Sequence, residues 1–118
     1  MTKKEYMIQV EDLEINREKV AEVEKVYHTE FPLLVQAIIS NMSQPLFLED
    51  CRVLAYSEII NASEDLKVDF VTNKMIPLVD CGENDFIVYH FDTKKWSMYN
   101  IIDNCAFMER ESLEGLLN

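Results

Sequence analysis

Asp80, Glu83 and Asp85 crowd three carboxylates into six positions around Gly82. Carboxylates at that density either wrap a hard cation with oxygen ligands or present negative charge to a basic partner. A calcium loop opening at Asp80 would need its bidentate acid at the twelfth position, and that position is Phe91. The calcium pattern fails, and the stretch reads as a solvated acidic turn that is also the place to look for a binding surface. Asp80, Glu83, Asn84 and Asp85 are the first candidate contact residues, with Asp92 in the next turn. Trp96 and Tyr99 join them as candidate anchors, because Trp and Tyr dominate interface hot spots. On a half-buried strand one of the two is expected to belong to the core.

Nucleophilic or acid–base catalysis needs a reactive group beside a tuned partner. The chain has two histidines, His28 and His90. His28 falls at the expected C-terminal end of a helix, where a cation favours the helix dipole. His90 shares a strand face with Phe86 and Val88 and reads as a hydrogen-bonded core or edge residue. No G-x-S-x-G elbow is present, and two glycines in the whole chain cannot build a phosphate-cradling loop. Cys51, Cys81 and Cys105 form no C-x-x-C pair, which removes the usual zinc and dithiol-redox patterns. The three thiols read as small buried apolar residues rather than a disulfide framework. The expectation is a protein that is not an enzyme and uses no metal or other cofactor.

Charge points the same way. There are 22 acidic and 11 basic residues, a formal net charge of −11. The excess runs through the whole chain, so the surface as a whole should be negative. That disfavours nucleic acids and anionic membranes, whose binding rests on Lys and Arg neutralising phosphate. It favours a basic protein partner reached at an electrostatically enhanced rate. No apolar run approaches the roughly 20 residues a membrane helix needs, and no apolar h-region follows the charged start Met1-Thr2-Lys3-Lys4-Glu5. The expected location is cytoplasmic.

The elements that must carry these residues follow from periodicity and turn chemistry. Ile76–Val79, Phe86–Phe91 and Trp96–Asn100 are three short apolar and aromatic strands separated by the turns Asp80–Asp85 and Asp92–Lys95, a β-meander. Gly82 is free to take a positive φ in the first turn. Upstream, Asn16 is a plausible N-cap for a helix over Arg17–His28. Val20, Val23 and Tyr27 form its apolar stripe, widened by Ala21, Val26 and Phe31, with Glu18, Glu22 and Lys25 opposite. Pro32 turns the chain into a second helix whose face is Leu34, Ala37, Ile38 and Met42, closed by Asn41 in the left-handed conformation. Leu46–Leu48 and Cys51–Tyr56 predict a two-strand element. Ser57 is expected to cap a helical turn ending at Ile60, and Asn61–Asp69 to be a loop. Asp103–Glu111 reads as a connector to a short C-terminal helix, Leu113–Leu117, capped by Ser112. The first fifteen residues form an N-terminal extension in which Glu5–Val10 alternates like a short strand, with Tyr6, Ile8 and Val10 on one side.

This order resembles the SUKH superfamily, the SMI–KNR-type proteins that include many bacterial toxin-immunity proteins and a yeast cell-wall regulator. The resemblance covers residues 16–117. It rests on the helix–proline–helix opening, the strand followed by Ser57-Glu58-Ile59, the proline-bearing segment Met75–Val79, the acidic glycine turn, the aromatic strand and the Trp96 strand. The chain departs from the pattern at Asn41, where relatives often carry a glycine. The resemblance implies a single α+β domain over 1–118, with an N-terminal helical pair packed on a mostly antiparallel sheet and a short C-terminal helix. It also implies a non-enzymatic binding module, in bacteria an immunity protein that neutralises a cognate toxin, often a nuclease. The alternative role in the same family is a regulatory scaffold that docks onto signalling or cell-wall machinery.

Overall fold

Four six-residue strands recur at every tenth position in the computed structural model, which describes residues 1–41 and 45–117. They are β3 Met75–Asp80, β4 Asp85–His90, β5 Lys95–Asn100 and β6 Cys105–Arg110. The residue before each strand is left-handed: Lys74 at φ 55°, Asn84 at 68°, Lys94 at 62° and Asn104 at 52°. Such a residue closes a tight turn and redirects the chain into the next strand. Glycine adopts that conformation freely and asparagine tolerates it, whereas lysine carries the Cβ strain. Gly82 takes φ 85° in the acidic turn, as its position predicts.

The meander continues a hairpin of β1 Leu46–Leu48 and β2 Cys51–Val53, giving one sheet in the order β1-β2-β3-β4-β5-β6. Every neighbouring pair is antiparallel. Ladder partners share a face, so Ile76, Tyr89 and Trp96 lie together on one side, and Asp80, Phe86 and Tyr99 on the other. β3 is buried at five consecutive positions and β4 at four, so both faces of the sheet centre are covered. β6 replaces the connector expected over Asp103–Glu111. All six of its residues are exposed, so no period-two burial pattern marks it, and its extended state comes from the ladder to β5.

The N-terminal segment is a helix, α1 Lys3–Val10, rather than a strand. Thr2 caps it by accepting the Glu5 N–H at 3.1 Å. Tyr6 and Val10 are buried because they stand four apart on one helical face, while Ile8, on the other side, is 65% exposed. The alternation of the three was a coincidence of spacing, and the extension is part of the core.

α2 Arg17–Tyr27 begins at Asn16, whose side chain accepts the Lys19 N–H, and buries Val20, Val23 and Tyr27. Ala21 is exposed and does not widen the stripe. His28 ends this helix in the left-handed conformation at φ 57°. α3 Leu33–Ile39 follows Pro32 and ends on Ser40 at φ −72°, one residue before Asn41, and it buries Val35 and Ile39 besides Ala37 and Ile38. Met42 lies outside the described residues. α4 Tyr56–Ile60 starts from Ala55, not Ser57: the Glu58 carboxylate accepts the Ala55 N–H at 3.0 Å. The expected loop over Asn61–Asp69 contains α5 Ala62–Leu66, which buries Ala62. α6 Glu114–Leu117 closes the described chain with Leu113 and Leu117 buried. The architecture is α+β, helices on a six-stranded antiparallel sheet.

Candidate partner-binding surface

The antiparallel order brings three turns to one end of the sheet: Glu49–Asp50 between β1 and β2, residues 81–84, and residues 101–104. That end collects Glu49, Asp50, Asp80, Glu83, Asp85 and Asp103. Successive turns are two strand spacings apart, roughly 10 Å. This is about one Debye length at physiological salt, so an approaching partner experiences the turns as one negative rim.

Cations neutralise part of this rim. Lys3 reaches Asp50 at 2.8 Å and holds its carboxyl below the usual carboxylate range. Arg52 reaches Asp80 at 3.3 Å. Asp80 also accepts the Gly82 N–H at 2.9 Å, so both of its oxygens are engaged in building the turn. Among the described residues no ion pair engages Glu49, Glu83, Asp85 or Asp103.

The rim is held in place by neutral side chains and backbone. Asn100 donates to Asp85 at 2.8 Å and accepts from the N–H groups of Ile102 and Asp103. The Ile101 N–H donates to the Asn84 carbonyl at 3.0 Å, tying two of the turns together. Tyr99 donates its hydroxyl to Asn104 at 3.3 Å. A surface fixed before binding loses less entropy when a partner arrives.

The sequence candidates therefore divide. Asp80, Glu83, Asn84 and Asp85 share the rim. Asp92 stands at the other end of the sheet, roughly 20 Å away along β4. Its neighbours there are Lys74, Lys94 and Lys95, the last paired with Glu111. Trp96 is 5% exposed and packs on Tyr89 with ring centroids 4.9 Å apart, so it is core rather than an exposed anchor. Tyr99 is 8% exposed, and its role at the rim is the hydrogen bond to Asn104. Glu49 and Asp50, in the β1–β2 turn, and Asp103, in the β5–β6 turn, were missed because they lie far in sequence from the Gly82 turn, and only the strand order brings them together.

His90 Nε2 lies 2.7 Å from Ser97 Oγ, the spacing of a nucleophile and its base. Ser97 is only 1% exposed, although it and His90 line a surface cavity of about 210 Å³ together with Asp92, Phe107 and Glu109. Burial holds the imidazole below its ordinary pKa, opposed by the charges of Asp92 and Glu109. No group of three or more His, Cys, Asp or Glu that could hold a metal ion occurs among the described residues. A surface groove of about 290 Å³ between the end of α1 and α3 is lined by Val10, Leu13, Ile15, Leu33, Leu34 and Ala37, with Glu11 its one ionisable group. It offers apolar contact without the converging polar groups of a small-molecule site.

No helix among the described residues is long and apolar enough to cross a membrane. Compared with protein-family models, curated proteins and solved structures, the chain matches none.

Proposed function

We propose that this chain is a non-enzymatic, cytoplasmic binding protein of the SUKH type, and that it acts as an immunity protein whose acidic rim engages a basic cognate toxin domain. The observation that carries the reading is the gathering of six carboxylates, from three turns and the strand ends beside them, onto one end of the sheet, four of them outside any ion pair among the described residues. A nuclease must keep its substrate cleft positive to bind phosphate, so a preorganised acidic rim can occupy that cleft and exclude nucleic acid. The net charge of −11 adds long-range attraction and accelerates encounter.

The test is a binding titration at two salt concentrations. The ligand is an inactivated form of the C-terminal toxin domain encoded immediately upstream. Affinity on the order of nanomolar, with an association rate that falls as salt rises, supports the immunity reading. Absence of binding, or an upstream product harmless when expressed alone, overturns it. Recovery of several moderate-affinity partners from the native host would instead favour the regulatory scaffold.

A further inference from the structure

Cys51 Sγ and Cys81 Sγ lie 3.3 Å apart although the two residues are 30 apart in sequence. The β2–β3 ladder pairs Arg52 with Asp80, and the cysteines occupy the next position toward the end of the sheet. Residues opposite one another in an antiparallel ladder have Cα atoms about 4.5–5.5 Å apart, within the range a disulfide spans. The sulfurs need to close by roughly 1.3 Å to reach bonding distance, a side-chain rotation rather than a backbone movement.

We propose that Cys51 and Cys81 form a dithiol site that closes to an intramolecular disulfide by exchange with a low-molecular-weight disulfide, fastening the β1–β2 hairpin to the end of β3. Cys51 is buried and Cys81 is half-buried, so Cys81 is the entry thiol. Its thiolate attacks one sulfur of the small disulfide, forming a mixed disulfide and expelling one thiolate, which takes up a proton. Cys51, hydrogen-bonded to Cys81 in the reduced state, then loses its proton to solvent and attacks the Cys81 sulfur. The second small thiolate leaves and is protonated. The protein has given up two protons and two electrons, and one small disulfide has become two thiols.

The surroundings set the rate. Burial pushes both thiols above their ordinary pKa. Asp50, beside Cys51, and Asp80, beside Cys81, act in the same direction, while the Lys3 ammonium from α1 opposes them. Exchange is therefore slow at neutral pH and faster as pH rises. In a reducing compartment the pair stays a dithiol. Cys81 stands in the 81–84 turn of the acidic rim and Cys51 follows Asp50, and closure of the pair requires no partner bound there.

The experiment uses the full chain carrying Cys105→Ser, which removes the exposed third thiol. The protein is incubated with oxidised glutathione at mildly alkaline pH. The expected product has lost two hydrogens by intact mass and resists alkylation after denaturation. It also yields a linked peptide pair containing Cys51 and Cys81. Its melting temperature rises by roughly 10 °C and returns on adding dithiothreitol. A product carrying glutathione, or one in which both thiols still alkylate, overturns the proposal. Adding Cys81→Ser, with the fold checked by circular dichroism, must abolish the thermal shift. If the shift survives, the bond is not its cause and the proposal fails.

Discussion

Arg52 meets Glu58 through a single nitrogen, Nη1, which lies 2.7 Å from both carboxylate oxygens, while Nη2 reaches Asp80 at 3.3 Å. The same Glu58 carboxylate caps α4 by accepting the Ala55 N–H. One cation thus joins β2, β3 and a helix start beside the acidic rim. The side chains of Arg52 and Glu58 are 26% and 36% exposed, so solvent screens the pair and its loss costs less than the 3–5 kcal/mol of a fully buried one. Arg52→Ala is expected to destabilise by about 1–2 kcal/mol, because it leaves Glu58 and Asp80 close together without their cation. Glu58→Gln, which keeps an oxygen for the cap, is expected to cost less. The check is the urea midpoint at unchanged slope. An unmoved midpoint for Arg52→Ala would show that the network contributes no net stability.

The left-handed turn residues give a prediction of opposite sign. Lys94 holds φ 62° at an exposed turn and has no hydrogen bond from its side chain among the described residues. Lys94→Gly removes the Cβ strain and is expected to stabilise by about 1 kcal/mol, reduced by the greater freedom glycine gains in the unfolded chain. At Gly82, φ 85°, an added Cβ would meet nothing within 4 Å, so the space is open and only the backbone objects. Gly82→Ala is expected to destabilise by about 1–2 kcal/mol from conformational strain alone. Melting temperatures moving in opposite directions for the two variants would bear this out. Equal shifts would mean that the turns relax.

His90 supplies the pH dependence. Burial lowers its pKa in the folded state below the ordinary value of 6.5. The unfolded chain therefore takes up the proton first as pH falls, and binds more protons than the folded chain between the two values. Stability contributed by neutral His90 is complete above pH 6.5 and declines as pH drops from there toward the folded-state pKa. His90→Gln keeps a hydrogen-bonding group near Ser97 and removes the titration. Denaturation midpoints measured across this range should fall more steeply for the parent than for the variant, and parallel curves would contradict the buried neutral imidazole.

What the chain disclosed by itself followed from local chemistry. The strands over β3, β4 and β5 announce themselves by aromatic and β-branched runs, and Asn16 by its capping position. The α1 helix was hidden because Tyr6, Ile8 and Val10 satisfy a two-residue period as well as an i, i+4 pair, although Thr2 three residues before Glu5 was a readable start signal. β6 was hidden for a different reason: a fully exposed edge strand has no buried face to pattern, and only its partner β5 defines it. The site divides along the same line. Carboxylates clustered in one turn are visible from sequence, whereas Glu49, Asp50 and Asp103 join them, and Asp92 leaves them, only once the direction of each strand is known. The Cys51–Cys81 approach is likewise a product of strand pairing, with no spacing rule to reveal it.

The rim gives the sharpest test because its acids do different jobs. Glu83 and Asp103 are exposed and lie outside any ion pair among the described residues, so they act through field alone. Asp80 is bonded to Arg52 and to the Gly82 N–H, so it acts through structure. Glu83→Lys combined with Asp103→Lys changes the net charge by +4 and is expected to leave the melting temperature within a degree or two, since surface substitutions of this kind cost little stability. The same double variant should slow association with a basic partner roughly tenfold at low salt, with the difference shrinking as salt rises and dissociation little changed. Asp80→Asn should do the reverse, lowering the denaturation midpoint while reducing the association rate only modestly. Stopped-flow association at two ionic strengths, alongside thermal melts, separates the two behaviours. If the double reversal leaves the association rate untouched while Asp92→Lys slows it, the partner docks at the opposite end of the sheet.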